Sequence, residues 1–234
     1  MSKPKSDAPL VSVVGIEKIY GNDSKVAALK GVDLSIARGE FAALAGPSGS
    51  GKSTLLNIIG TLDQPTKGAV SYEGRNVSGL GTDAQADFRL RALGFVFQAY
   101  NLIPVLTAAE NIEYPLVLQG VEAGQRRKLA LEALRAVSLE SFADRRPDLL
   151  SGGQQQRVAV ARAIVHRPSL VLADEPTANL DSKTGAQLLD LMEGLNKEQG
   201  ITFLFSSHDT AVLERARRVI HLHDGELRAD EVRR

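Results

Sequence analysis

Nine consecutive residues, Gly46-Pro47-Ser48-Gly49-Ser50-Gly51-Lys52-Ser53-Thr54, carry the clearest chemistry in the chain. Glycines at these intervals let backbone N–H groups curl around the oxygens of an anion, at a helix N-terminus whose dipole favours negative charge. A lysine placed there reaches the β- and γ-phosphates of a nucleotide, and the hydroxyl that follows ligates Mg²⁺. The context fits a phosphate loop, because the apolar run Phe41–Ala45 precedes it and the helical Leu55–Ile59 follows. A plain Gly/Ser-rich turn is the alternative, and it leaves the strand–loop–helix setting as coincidence. ATP and Mg²⁺ are therefore the expected cofactors. All nine residues are candidate nucleotide contacts, and Ser53 is also a candidate metal ligand.

A second segment, Ser169–Pro176, is an apolar strand that ends in two adjacent carboxylates, Asp174 and Glu175. Burying charge at a strand end is costly unless a cation or partner compensates, and ligands of α/β sheets sit at strand C-termini. Asp174 is thus placed to hold Mg²⁺, and Glu175 to polarise the water that attacks the γ-phosphate. An Asp-Glu turn after a core strand is the competing reading. A third segment, Leu150-Ser151-Gly152-Gly153-Gln154, is another glycine loop opening a helix, expected over Gln154–His166. It is either a second anion cradle or an ordinary helix start capped by Ser151. Three single residues stand at strand ends: Tyr20, Gln98 after Phe95–Phe97, and His208 after Ile201–Phe205. Each has a bland reading as a polar or aromatic strand terminus.

The elements that must position these groups are visible in outline. The chain has 234 residues, 43% of them hydrophobic and 24% charged, enough for one large domain or a domain with a sub-domain. Lysine plus arginine, 28, balances aspartate plus glutamate, 28, which argues against nucleic-acid binding through bulk charge. The absence of cysteine excludes disulfides, thiolate zinc sites and cysteine catalysis. The longest uncharged stretch, Leu93–Ala109, contains Gln98, Asn101 and Pro104 and is too broken to span a bilayer. Lys3 and Lys5 precede only a short apolar run, so the expectation is a soluble, unprocessed chain with a disordered tail over residues 1–9. Short strand-like runs fill the first third, with a hairpin turn at Glu73-Gly74, and a second hairpin is expected at Asp224-Gly225. Thr107–Leu139 is helical with a break at Gly120–Gly124, whereas Leu170–Ala173 and Ile201–Phe205 suit central parallel strands. The expected fold class is α/β, with an antiparallel β portion near the N-terminus and a helical sub-domain, about 99–163, inserted in the core of one domain spanning 10–234.

As written, the run from Leu150 to Arg157 resembles the signature of the ATP-binding cassette (ABC) ATPases, and the other motifs follow in that family's order from Leu10 to Leu227. The resemblance implies a P-loop NTPase core. It implies that Tyr20 stacks on adenine, that Gln98 is the Q-loop glutamine near metal and attacking water, and that Asn179-Leu180-Asp181 form the D-loop. His208 becomes the switch histidine, so Glu175, His208 and Gln98 form the implied catalytic set and Ser53, Gln98 and Asp174 the implied metal set. It further implies a homodimer holding two ATP head to tail, in which Ser151, Gly152, Gly153 and Gln154 of one chain close on the nucleotide held by the other, with Asp181 nearby. A single cassette sets the chain apart from two-cassette translation factors, and the absence of long coiled coils from chromosome-repair relatives. The stretch Arg91–Leu116 is similar to the group of LolD-like, FtsE-type and MacB-type ATPases. That likeness implies integral membrane permease subunits contacted through the helical sub-domain, no nucleic acid, and a peripheral position on the cytoplasmic face of a bacterial inner membrane. A soluble assembly ATPase of the iron–sulfur type is the other function carried forward.

Overall fold

The structure, a computed structural model, describes residues 8–21 and 24–233. Nearly all of the expected N-terminal tail lies outside the described residues. Strands β1 (Val11–Tyr20), β2 (Val26–Ile36), β4 (Lys67–Tyr72) and β5 (Arg75–Asn76) form an antiparallel sheet in the order β2-β1-β4-β5. The turn at Glu73-Gly74 joins β4 to β5, with Tyr72 opposite Arg75. A second sheet has the order β10-β9-β3-β8-β7-β6, built from β3 (Phe41–Ala45), β6 (Leu93–Phe97), β7 (Leu170–Asp174), β8 (Thr202–Ser206), β9 (Arg218–His223) and β10 (Glu226–Val232). Its strands are parallel except β10, which returns antiparallel on β9 through the Asp224-Gly225 turn.

Alternation along the central strands explains their continuous apolar runs. Leu170, Leu172 and Leu204 face one hydrophobic cluster, whereas Val171, Ala173, Phe203 and Phe205 face another. Each strand is covered on both sides, so neither face needs polar residues. The first cluster fills the space between the two sheets and takes in helix α1 (Lys52–Ile59) through Leu55, Leu56, Ile58 and Ile59. The Tyr72 hydroxyl donates to Ile59 O at 2.8 Å and so satisfies a carbonyl at the end of α1. Burial drives the Tyr72 phenol far above its ordinary value, keeping it a neutral donor. On the other face, α6 (Ser182–Gln199) packs Leu188, Leu189 and Met192 against Phe203 and Phe205, and α7 (Thr210–Arg215) adds Val212.

A third cluster belongs to the helical layer. Helices α3 (Ala108–Leu118) and α4 (Ala123–Ala136) bury Ala108, Ile112, Leu116, Ala130 and Leu134 against Val158 and Ala161 of α5 (Gly152–Ile164). Opposite sides of α5 serve different clusters, since Val160 and Ala163 pack against the sheet. Helix α5 is thus shared between core and helical layer, which makes it the mechanical link between them. The sequence pattern does not announce α2 (Thr82–Ala92), whose apolar residues follow no helical stripe and of which only Gln85 is buried.

Candidate nucleotide site

The loops after β3, β6, β7 and β8 leave the same edge of the parallel sheet, because these strands are neighbours running in one direction. Between them lies a cleft of about 370 Å³ lined by Ser48, Gly49, Gly51, Lys52, Ser53, Thr54, Gln98, Glu175 and His208. Four separated motifs therefore meet at one place, as ligand sites in open α/β sheets do.

The floor of this cleft is the start of α1. Gly51 is its N-cap in a left-handed conformation, φ 103°, and no side chain caps the helix. A Cβ on Gly51 would stand 2.6 Å from Ala28 O, so the turn needs glycine for space as well as for φ. First-turn amides left without a side-chain acceptor are suited to an anion. The buried Lys52 ammonium donates to Gly46 O at 2.8 Å and Pro47 O at 2.9 Å, tying the loop to itself.

Two of the three candidate metal ligands touch each other, with the Ser53 hydroxyl donating to Asp174 Oδ1 at 3.0 Å. Asp174 is not itself among the residues lining the cleft but bonds Ser53, which lines it together with Gln98, so the three candidates offer only oxygen ligands. Such a set fits Mg²⁺, a hard cation that usually takes one or two carboxylates and completes its shell with phosphates and water. Among the described residues no group of three or more His, Cys, Asp or Glu side chains is gathered as a metal site.

Glu175 leaves β7 with a positive φ of 45°, an uncommon conformation for a residue with a side chain, and its amide donates to Ser206 O at 2.8 Å. Its carboxylate is held at both oxygens: Ser207 Oγ donates to Oε2 at 2.9 Å, and His208 Nδ1 lies 2.7 Å from Oε1. A carboxylate so oriented can accept a proton from water in a fixed direction. Sequence reasoning passed over Ser207, although its place immediately before His208 was the available signal.

Tyr20 ends β1 beside the cleft, 41% exposed, with Val26 of β2 opposite it and 62% exposed. Its hydroxyl donates to Asp63 Oδ2 at 2.6 Å, Lys18 Nζ stands 4.7 Å from the ring centroid, and Thr54 lies beside the hydroxyl. Burial and the Asp63 carboxylate both raise the Tyr20 phenol above its ordinary value. Partial burial opposes ionisation of Asp63, but hydrogen bonds from Lys18 and Tyr20 outweigh it and hold the carboxyl below the usual range. The result is an exposed apolar and aromatic platform anchored through its polar tip. Neither Val26 nor Asp63 was readable beforehand, because one depends on strand register and the other on a contact across 43 residues.

Ser151, Gly152, Gly153 and Gln154 are not among the residues lining this cleft. They open α5, where Ser151 Oγ accepts from Gln154 N at 3.3 Å and Gln154 Oε1 accepts from Ser151 N at 2.9 Å. Both sequence readings of Ser151 thus bear on it, since it caps its helix and also stands at a glycine-opened helix start. Asp181 likewise lies outside the cleft. It caps α6, accepting from Lys183 N, Thr184 N and the Thr184 hydroxyl, and those bonds hold its carboxyl below the usual range. The neighbouring Asn179 amide donates to Gln98 O at 2.9 Å, joining the two loops.

The ABC transporter family model matches residues 29–178. The chain is 47% identical over 227 residues to the ABC transporter ATP-binding protein MJ0796 of Methanocaldococcus jannaschii, covering 95% of this chain and 97% of that one. It is 46% identical over 228 residues to the macrolide export ATP-binding/permease protein MacB of Brucella melitensis, covering 97% of this chain but only 35% of MacB. Among solved structures, the dimeric MJ0796 cassette superposes with a TM-score of 0.88 at 46% identity, covering 96% of this chain and 99% of that one. A post-hydrolysis dimer of the same cassette, bound to ADP and Pi, matches equally well. The converging strand-end loops and these matches lead to one conclusion: the chain belongs to the ABC transporter family, as one of its ATP-binding and ATP-hydrolysing cassettes.

Proposed function

We propose that this chain is the motor subunit of an export-type ABC transporter, working as a head-to-tail homodimer around two Mg²⁺-ATP at the cytoplasmic face of a membrane. The observation that carries the dimer is the separation of the two glycine-opened helix starts. Lys52 and Ser53 line the cleft whereas Ser151 and Gly153 do not, so a second chain is the natural source of the missing wall. That the similar MJ0796 cassette is solved as a dimer, in one case bound to ADP and Pi, supports a dimer here.

In this reading the α1 amides and Lys52 hold the β- and γ-phosphates, and Tyr20 with Val26 receives the adenine. Mg²⁺, held by Ser53, Asp174 and Gln98, would supply charge neutralisation between the phosphates. Glu175, aimed by Ser207 and His208, takes the proton of the attacking water. His208 also reads the γ-phosphate, which links phosphate loss to reopening of the dimer. Closure excludes bulk solvent and fixes the attack geometry, when Ser151 and Gly153 of the partner cover the γ-phosphate.

A membrane partner is supported by an apolar groove of about 510 Å³ between core and helical layer, lined by Leu62, Leu90, Phe95, Phe97, Ile103, Tyr114 and Leu118. Leu118 is 56% exposed and Leu62 48% exposed, which is unusual for large apolar residues clustered at one groove. The groove reaches Phe97 and Asn101, on either side of Gln98, so an occupant there would feel the state of the nucleotide site. No helix among the described residues is long and apolar enough to cross a membrane, and in MacB an ATP-binding part and a permease share one chain. A LolD-, FtsE- or MacB-type permease is the partner that fits, ahead of a soluble iron–sulfur assembly partner. No role for nucleic acid is invoked.

The test uses Glu175→Gln, expected to lower turnover by roughly 10²–10⁴-fold while leaving ATP binding intact. In ATP the variant should elute as a dimer and carry an integral membrane protein from detergent-solubilised membranes. A monomer in saturating ATP would overturn the sandwich, and recovery of soluble proteins alone would overturn the transporter reading.

A further inference from the structure

Gln156 lies one and a half turns beyond Ser151 on α5 and is completely buried. Its side-chain amide nitrogen donates to Pro176 O at 2.7 Å and to Phe97 O at 3.3 Å, while Oε1 has no partner. Phe97 immediately precedes Gln98, and Pro176 immediately follows Glu175. The parallel ladder between β6 and β7 ends at the pair Phe97–Asp174, so these carbonyls lie where strand pairing no longer holds the two segments together. Phe97 O receives one further bond, from Tyr100 N at 3.2 Å, inside its own loop. A buried side chain that leaves its own acceptor unsatisfied in order to bridge two backbones is an expensive arrangement for packing alone.

We infer that Gln156 is a positioning residue that passes the position of the Ser151 helix to Glu175 and Gln98 of the same chain. The inference rests on the dimer reading above. In that dimer Ser151 engages the partner's nucleotide, whereas Glu175 and Gln98 act on the chain's own. Gln156 therefore lies on the short covalent and hydrogen-bonded route between the two nucleotides: Ser151, the first turns of α5, Gln156, then the carbonyls flanking both reacting groups. Docking of one signature helix sets the attack geometry at the other site. The physical warrant is a rigid element contacting both sites through one side chain.

The test is Gln156→Met, which keeps length and volume but removes the donor, with Gln156→Asn as a second variant that keeps an amide on a shorter arm. ATP affinity of the monomer should stay within about twofold, because the α1 loop is untouched, while kcat falls about tenfold or more. Hydrogen–deuterium exchange in the Glu175→Gln background gives an independent readout. ATP should protect peptides covering 97–101 and 174–180 in the parent, and that protection should be lost with Gln156→Met although the dimer still forms. A purely structural Gln156 would lower the melting temperature and leave both kcat and ATP-induced protection unchanged, which overturns the inference. If Gln156→Met does not fold, the same comparison is made with Gln156→Asn. A Glu175→Gln chain that stays monomeric in ATP would remove the sandwich and this inference together, whereas a dimer with unaltered protection in the Gln156 variants removes the inference alone.

Discussion

Two helix starts in this molecule look alike in sequence and differ in how they treat their own amides. Helix α1 begins at Gly51 with no side-chain cap, so its first turn is left open inside a cleft. Helix α5 begins at Ser151 with a reciprocal capping box, Ser151 and Gln154 each bonding the other's backbone N–H. The first is prepared for a ligand within the same chain. The second has two of its backbone N–H groups answered by its own side chains. On the proposed reading the first start meets a nucleotide within its own chain, and the second meets the partner's nucleotide while already carrying its own cap.

The largest effect expected from this contrast is at Lys52. If Lys52 holds phosphate as proposed, removing such a buried cation costs about 2–5 kcal/mol. Lys52→Ala should therefore weaken ATP binding by about thirtyfold to a few thousandfold in a fluorescent-nucleotide titration of the monomer. Near-normal affinity would mean that α1 is not the primary cradle. Ser151→Arg is expected to do the reverse, leaving monomer affinity within about twofold while cutting turnover about a hundredfold. On the proposed sandwich its bulk would fall on the partner's site, so a loss of affinity in the monomer would place Ser151 in its own cleft and erase the distinction between the two starts.

The same contrast explains what the sequence revealed. Motifs whose function is carried by adjacent backbone amides, at Gly46–Thr54 and Leu150–Gln154, are legible because spacing alone sets their geometry. Central strands are legible because burial on both faces leaves an uninterrupted apolar run, as at Leu170–Ala173. Groups that join distant segments are not. Asp63 anchors Tyr20 and Gln156 bridges Phe97 and Pro176, yet each looks in sequence like an ordinary polar residue; Asn179 was singled out with the D-loop, but its bond to Gln98 O was not readable. Helix α2 escaped notice for a different reason, since it buries little and so bears no periodic signal. The cap at Ser151 was foreseen as one of two options, and the structure makes it compatible with the other.

A smaller effect measures the capping box directly. Ser151→Ala removes the acceptor for Gln154 N, and loss of such a cap costs about 1 kcal/mol. For a chain of this size that corresponds to a fall of roughly 2–4 °C in melting temperature. The expected pattern is a modest loss of stability in the monomer with unchanged ATP affinity. A melting temperature equal to wild type would show that the α5 start is satisfied in some other way and that the self-capped character of this loop is overstated.

The smallest effect lies at the seam where α5 ends against the core. His166 Nε2 is 3.0 Å from Leu93 O, and Nδ1 is buried without a partner. With Nε2–H donating to the carbonyl, protonation would place a second N–H at Nδ1 where nothing accepts it. Burial accordingly pushes the imidazole below its ordinary value of 6.5, and the bond to Leu93 O only partly offsets this. The unfolded chain then binds more protons than the folded one as the pH falls below 6.5. The stabilising contribution is present in full above that value and is lost as the pH drops toward the folded pKa. His166→Gln retains a donor for Leu93 O and cannot titrate in this range. Urea unfolding between pH 7.5 and 5.5, roughly a unit on either side of the ordinary histidine value, should show a shallower acid-side loss of stability for the variant than for the parent. Parallel slopes would mean that His166 is free to take a proton in the folded chain. The end of α5 would then be open to solvent, and its beginning, capped by Ser151 and tied through Gln156, would be the more rigid half of the helix.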